Sequence, residues 1–261
     1  MLIDSHPINH HYSSTEENKP WLLLIHGLFG SLDNLAVIRR DLQSDFNVLS
    51  VDLPDHGKSQ HTTAFSFEHY ASQLFDLIDQ LKIKELHILG HSLGGKIAMM
   101  MALKQSHRIT KLVIADISPA KYSARHHAVL AGLNNVDLNN TKDRTHANQQ
   151  MAEYVIEPGV RQFLLKSLYQ NDGKWAWRFN LNLLERDYNH LSQAIESDNQ
   201  FVNPVLFIKG GNSDYLLSEH QAPIAKLFPN SQAKVIQNTG HWLHSEKPNI
   251  FNRLTRSFLL A

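Results

Sequence analysis

The chain has 261 residues, 42% of them hydrophobic and 19% charged, which excludes a disordered or fibrous protein and allows one sizeable core. Twenty-five Lys and Arg balance twenty-five Asp and Glu, so the net charge gives no sign of a nucleic-acid partner. The absence of Cys removes disulfides, thiolate metal sites and cysteine nucleophiles, and no apolar run approaches the ~18–20 residues of a membrane span.

The N-terminus, Met1-Leu2-Ile3-Asp4-Ser5-His6, has neither the basic start nor the apolar stretch of a signal peptide, so a cytoplasmic location is expected. Segments around Leu2 and His11-Tyr12 read as weak antiparallel edge strands. Apolar runs follow at Trp21 to His26 and Asn47 to Asp52. Tyr70, Leu74, Leu77, Ile78 and Leu81 then repeat at helical spacing. The run Leu86 to Gly90 leads into Leu93 to Gln105, nearly apolar throughout as in a buried helix, and Leu112 to Asp116 reads as the next strand. Near-continuous apolar strands alternating with helices predict an α/β fold with a mostly parallel sheet covered on both faces.

Residues 117–203 break this rhythm. Val160, Phe163, Leu164 and Leu168 behind Pro158 read as one helix, and Leu184, Tyr188, Leu191 and Ile195 as another. Trp175, Trp177 and Phe179 alternate between them on a short extended stretch. The segment is neither Gly/Ser-rich nor highly charged, so it reads as a helical lid rather than a linker. Core strands resume at Val205 to Lys209 and Ala233 to Gln237. Ser218 with Gln221 reads as a capping box for a helix carrying Ile224 and Leu227. Ser245 before Pro248 reads as the start of a last helix, with Ile250, Leu254 and Phe258 as its stripe. The expected division is a core of residues 1–116 and 204–261 with 117–203 inserted.

Gly90-His91-Ser92-Leu93-Gly94 lies on a strand-to-helix turn, where glycines permit a bend that lifts the Ser92 hydroxyl clear of the backbone. A hydroxyl is a weak nucleophile and needs a base. Among seventeen histidines, His241 follows the last strand in Asn238-Thr239-Gly240-His241-Trp242, where a short loop returns it to the sheet edge. His10-His11 and His126-His127 read as surface residues, and no His spacing suggests metal. An acid must orient the base, and both Asp116 and Asp214 keep the order Ser, Asp, His. An oxyanion would be met by the backbone N–H of Leu93 and of Leu28, in His26-Gly27-Leu28-Phe29-Gly30.

The chain resembles the α/β-hydrolase superfamily through four separated motifs. They are His26-Gly27-Leu28-Phe29-Gly30-Ser31, Asp52-Leu53-Pro54-Asp55-His56-Gly57-Lys58-Ser59, Gly90-His91-Ser92-Leu93-Gly94-Gly95-Lys96 and Gly240-His241. Ala115-Asp116-Ile117-Ser118-Pro119, Trp177-Arg178-Phe179-Asn180 and Gly210-Gly211-Asn212-Ser213 make it similar to the YbfF-type bacterial serine esterases and their eukaryotic relatives. That resemblance implies a helical cap, no cofactor, and a triad acid at Asp116 supported by Ser213, with Asp214 as the alternative. Pro54-Asp55 departs from it, because relatives tend to show Arg-Asn before His-Gly.

The implied activity is hydrolysis of small or medium acyl esters through an acyl-enzyme. Ser92 is the nucleophile, His241 the base and Asp116 the orienting acid, with a small-molecule ester or thioester as substrate. The alternatives are a thioesterase or C–C bond hydrolase on the same triad, and a non-catalytic binding protein on a hydrolase fold. Phe29, Tyr122, Trp175, Trp177 and Trp242, with Tyr154 and Phe163, are the aromatic residues expected around an apolar acyl pocket.

Overall fold

The computed structural model describes residues 6–13, 16 and 18–261. In chain order the first half forms β1 (His10–Ser13), β2 (Trp21–Ile25), α1 (Ala36–Leu42), β3 (Asn47–Val51), α2 (Phe67–Gln80), β4 (Leu86–His91), α3 (Leu93–Lys104) and β5 (Ile109–Ala115). Next come α4 (His127–Asn134), α5 (Arg144–Met151), α6 (Pro158–Leu165), the strands β6 (Leu168–Asn171) and β7 (Lys174–Trp177), α7 (Leu181–Arg186) and α8 (Tyr188–Leu191). The chain closes with β8 (Val205–Gly210), α9 (Gln221–Leu227), β9 (Ser231–Ile236), α10 (Leu243–Glu246) and α11 (Pro248–Leu260).

Among the described residues the central sheet has seven strands in the order β1-β3-β2-β4-β5-β8-β9. All neighbours are parallel except β1, which pairs antiparallel with β3 in the register His10 to Val51. This is the mostly parallel α/β sheet expected from the alternation of strands and helices. The strand expected around Leu2 lies outside the described residues.

The pleat explains why the inner strands read as continuous apolar runs. Leu23 and Ile25 point into a cluster with Leu74 and Ile78 of α2 and Ile97 and Met101 of α3. Leu22 and Leu24 point the other way, against Ile38 and Leu42 of α1 and Phe251 and Leu259 of α11. Each such side chain, fully buried, contributes about 1.5–3 kcal/mol. No helix among the described residues is long and apolar enough to cross a membrane.

Several local expectations shift. Ser218 does not cap; it begins a 3-10 turn, Ser218–His220, and the His220 ring accepts the Leu217 N–H instead at 3.1 Å. Ser245 lies inside α10, and α11 starts at Pro248. Its buried face is Phe251, Asn252, Thr255 and Leu259, with Leu254 and Phe258 at the rim and Ile250 exposed. Polar Asn252 and Thr255 in the buried stripe hid its true phase.

Between β5 and β8 the chain builds five helices and the β6–β7 hairpin, which is a separate two-stranded sheet. The helix expected over 184–195 breaks at Asp187, whose carboxylate accepts the Phe65 N–H at 2.9 Å and pairs with Arg186. The segment shares one apolar cluster with the sheet, running from Leu23 to Leu133, Met151, Leu164 and Leu184. Asp55, fully buried, fastens it to the loop after β3. Its carboxylate accepts from Thr62, from the Tyr70 hydroxyl at 2.6 Å and from the Asn180 amide at 2.8 Å, while Asn180 N–H donates to the Asp55 carbonyl. Burial pushes this carboxyl up, but the bonds from Thr62, Tyr70 and Asn180 outweigh it and hold it below the ordinary value.

Candidate active site

Five residues other than glycine adopt the left-handed conformation in loops just beyond the carboxyl ends of five strands of the central sheet. They are Phe29 after β2, Asp55 after β3, Ser92 after β4, Asp116 after β5 and Asn238 after β9. Such conformations cost of order 1–3 kcal/mol each and persist where surrounding contacts enforce them. The carboxyl edge of a parallel sheet is also where ligands bind in such folds.

Ser92 has φ 55° and ψ −121° between β4 and α3, and its N–H is tied to the Ala115 carbonyl at 3.1 Å. A Cβ on Gly90 would overlap the Gly94 carbonyl, and one on Gly94 would overlap the carbonyls of Ile25 and His26. The bend therefore requires both glycines. The Ser92 hydroxyl makes no capping bond, and the residue lines a cavity at the sheet edge.

The loop after β9 brings His241 to the same edge. Its Nδ1 lies 2.8 Å from Asp116 Oδ2, with the Asp116 side chain fully buried and the imidazole 19% exposed. Carboxylates only accept, so Nδ1 carries a proton, and in the neutral ring the lone pair is on Nε2. The Tyr215 ring stacks on His241 at 4.0 Å and 21°, and Tyr215 also lines the cavity beside Ser92. His91 donates its Nε2–H to the His241 carbonyl at 2.9 Å, joining the nucleophile turn directly to the histidine loop.

The two acids have different surroundings. Asp116, with φ 53°, accepts from His241, from the Gly210 N–H at 2.9 Å and from the Ser213 hydroxyl. Asp214 points outward and pairs with Arg125 at 2.7 Å, its side chain 72% exposed. Leu28 and Leu93 both line the cavity beside Ser92. Among the described residues neither of their N–H groups donates a hydrogen bond, leaving two donors beside the hydroxyl.

The cavity spans about 440 Å³, part of it open to solvent. Of the aromatic residues expected there, Tyr122 is in its wall. Phe29 instead packs on Phe179 at 5.0 Å, and Trp177 stacks on Phe179 at 5.4 Å. Trp175 lies beneath Arg144, Trp242 packs on Phe163 at 5.7 Å, and Tyr154 is exposed, none of them in the cavity wall. The wall comes instead from Tyr122, Tyr188 and Tyr215, with Ile117, Leu191, Lys96, Arg125 and His126. His126 is half-buried rather than fully exposed, unlike its exposed neighbour His127; its Nδ1 bonds the Tyr188 hydroxyl at 2.5 Å, and burial lowers its pKa to about 4. Burial likewise pushes the Lys96 ammonium down to about 7.

Buried neutral histidines surround the site. His26 donates Nδ1–H to the Gly27 carbonyl at 2.8 Å and accepts the Leu53 N–H on Nε2 at 3.0 Å, an arrangement open only to the neutral ring. Burial lowers His26 and His244 from 6.5 to about 4, and drives His91 well down. Below pH 6.5 the unfolded chain binds protons that these folded rings refuse, so stability falls with pH until about 4. Each ring contributes at most about 1.4 kcal/mol per pH unit. Urea midpoints measured from about pH 7 to about pH 4.5 should therefore decline steadily; a flat series would show that the rings are charged when folded.

A family model described as alpha/beta hydrolase fold matches residues 20–248. The chain is 39% identical over 248 residues to the esterase YbfF of Escherichia coli (strain K12), covering 95% of this chain and 96% of that protein. It is 33% identical to a Mus musculus protein named sn-1-specific diacylglycerol lipase ABHD11, covering 97% of this chain and 85% of that one. A solved structure titled marine microorganism esterase superposes with a TM-score of 0.93 at 31% identity, covering 97% of this chain and all of that one. With the sheet order, the strained serine turn and these likenesses in agreement, the chain belongs to the α/β-hydrolase family, among its YbfF-type esterases.

Proposed function

We propose that the protein hydrolyses carboxylic esters of small or medium acyl groups through an acyl-enzyme on Ser92. The observation that carries this reading is the hydrogen bond from His241 Nδ1 to Asp116, which leaves Nε2 basic at the edge where Ser92 sits on its strained turn. In this reading Ser92 Oγ attacks the acyl carbonyl while His241 Nε2 takes its proton. The free N–H groups of Leu28 and Leu93 receive the oxyanion. His241 then returns the proton to the leaving alcohol, and a water activated by the same imidazole cleaves the acyl-enzyme. Asp116 holds the imidazole and stabilises its charge, with Ser213 and Gly210 N–H fixing the carboxylate.

Residues 117–203 act as a cap in this proposal, since Ile117, Tyr122, Tyr188 and Leu191 supply the apolar wall opposite Leu28 and Leu93. A fluorophosphonate probe together with p-nitrophenyl esters of increasing acyl length tests the reading. Covalent labelling at Ser92 and turnover of the shorter esters are expected. No labelling and no turnover would favour a binding protein, and turnover confined to acyl thioesters would move the substrate class.

A further inference from the structure

One helical turn after Ser92, α3 carries a cation with almost no access to solvent. Lys96 is 2% exposed, and its Nζ donates to the Ala120 carbonyl at 2.9 Å and to the Gln193 carbonyl. Those carbonyls belong to the two stretches by which residues 117–203 leave and rejoin the central sheet. The stretches also bind each other, Tyr122 N–H to the Ser192 carbonyl at 2.9 Å and Ile195 N–H to the Pro119 carbonyl at 2.7 Å. The ammonium therefore enters a two-stranded neck between its two rungs, flanked by the rings of Phe67 at 5.6 Å and Tyr122 at 5.0 Å.

Burying an ammonium is costly, and an apolar side chain of similar length would fill the same space without that cost. A Lys at this position supplies directional donors that Met or Leu lacks. Both neck strands are fastened through it to the helix that begins at the nucleophile. The same neck contributes Ile117, Tyr122, Leu191 and Ser192 to the cavity wall.

We propose that Lys96 is a positioning residue, which pins the neck of residues 117–203 to α3 and thereby sets the acyl-side wall of the cavity. The part concerning the wall rests on the ester-hydrolase reading; the part concerning the neck does not.

The test uses Lys96→Met, which keeps the apolar stem and removes the donors, with the shorter donor-bearing Lys96→Gln beside it should Lys96→Met not fold. Amide hydrogen exchange at Tyr122 and Ile195 is expected to quicken about tenfold or more, while Leu23 and Ile88 in the central sheet keep wild-type rates. KM for a p-nitrophenyl hexanoate is expected to rise about tenfold more than KM for the acetate, with kcat for the two esters changing in parallel. Unchanged exchange at the two neck amides overturns the proposal. Faster exchange that leaves the acyl-length dependence of KM as in the wild type overturns the assignment to the wall. If the wild-type protein turns over no ester at all, the hydrolase reading fails, and the exchange rates still decide whether Lys96 holds the neck.

Discussion

Ser92→Ala is expected to lower turnover of a p-nitrophenyl ester by roughly 10⁴–10⁶-fold, and His241→Ala by a similar factor. The magnitude follows from the proposed mechanism, in which the two groups act as a unit: without the hydroxyl no acyl-enzyme would form, and without the imidazole the hydroxyl would keep its proton. Combining the two changes should cost little more than either alone. Fluorophosphonate labelling offers an independent reading of the same pair and should vanish in both variants. A Ser92→Ala protein with near-normal turnover would remove Ser92 from the mechanism altogether.

The two acids separate the second prediction. Asp116→Asn should reduce turnover by roughly 10³–10⁴-fold, because an amide at that position offers a donor to Nδ1 and favours the wrong tautomer. Asp214→Asn should stay within about threefold, since its partner is Arg125 in an exposed pair of the kind that contributes little. Ser213→Ala should fall between them, because it removes one of the bonds that hold the Asp116 carboxylate. The order is what matters, and activity measured on all three variants under one condition reads it. A larger loss in Asp214→Asn than in Asp116→Asn would move the acid one strand along.

Much of the frame was legible because its signals are short in range. The six core strands each announce themselves in five or six residues, and the Ser92 bend needs only Gly90 and Gly94, each two positions away in the chain. The choice between Asp116 and Asp214 was not readable from residue types alone, since both follow core strands. It depends on which carboxylate turns inward to His241, 125 residues on from Asp116. The cavity wall was the least legible part. Trp175 and Trp177 look like pocket residues by bulk, yet the β6–β7 hairpin spends them on Arg144 and Phe179. Lys96 looks like an ordinary polar position, and the folding back of residues 117–203 covers it and half-buries His126. Polar atoms on buried faces misled the helix phases as well, at Asn252 and Thr255.

The grip of Asp55 on Thr62, Tyr70 and Asn180 ties residues 117–203 to the loop after β3 from the inside. A segment attached only at its two ends can hinge, but this one is also held at Asn180 by a carboxylate that is fully inaccessible. Arg186 adds a further tie to the Thr63 carbonyl at 2.8 Å. Swinging residues 117–203 away from the sheet would require the inaccessible Asp55 carboxylate to release the Asn180 amide, besides bending both connections to the sheet.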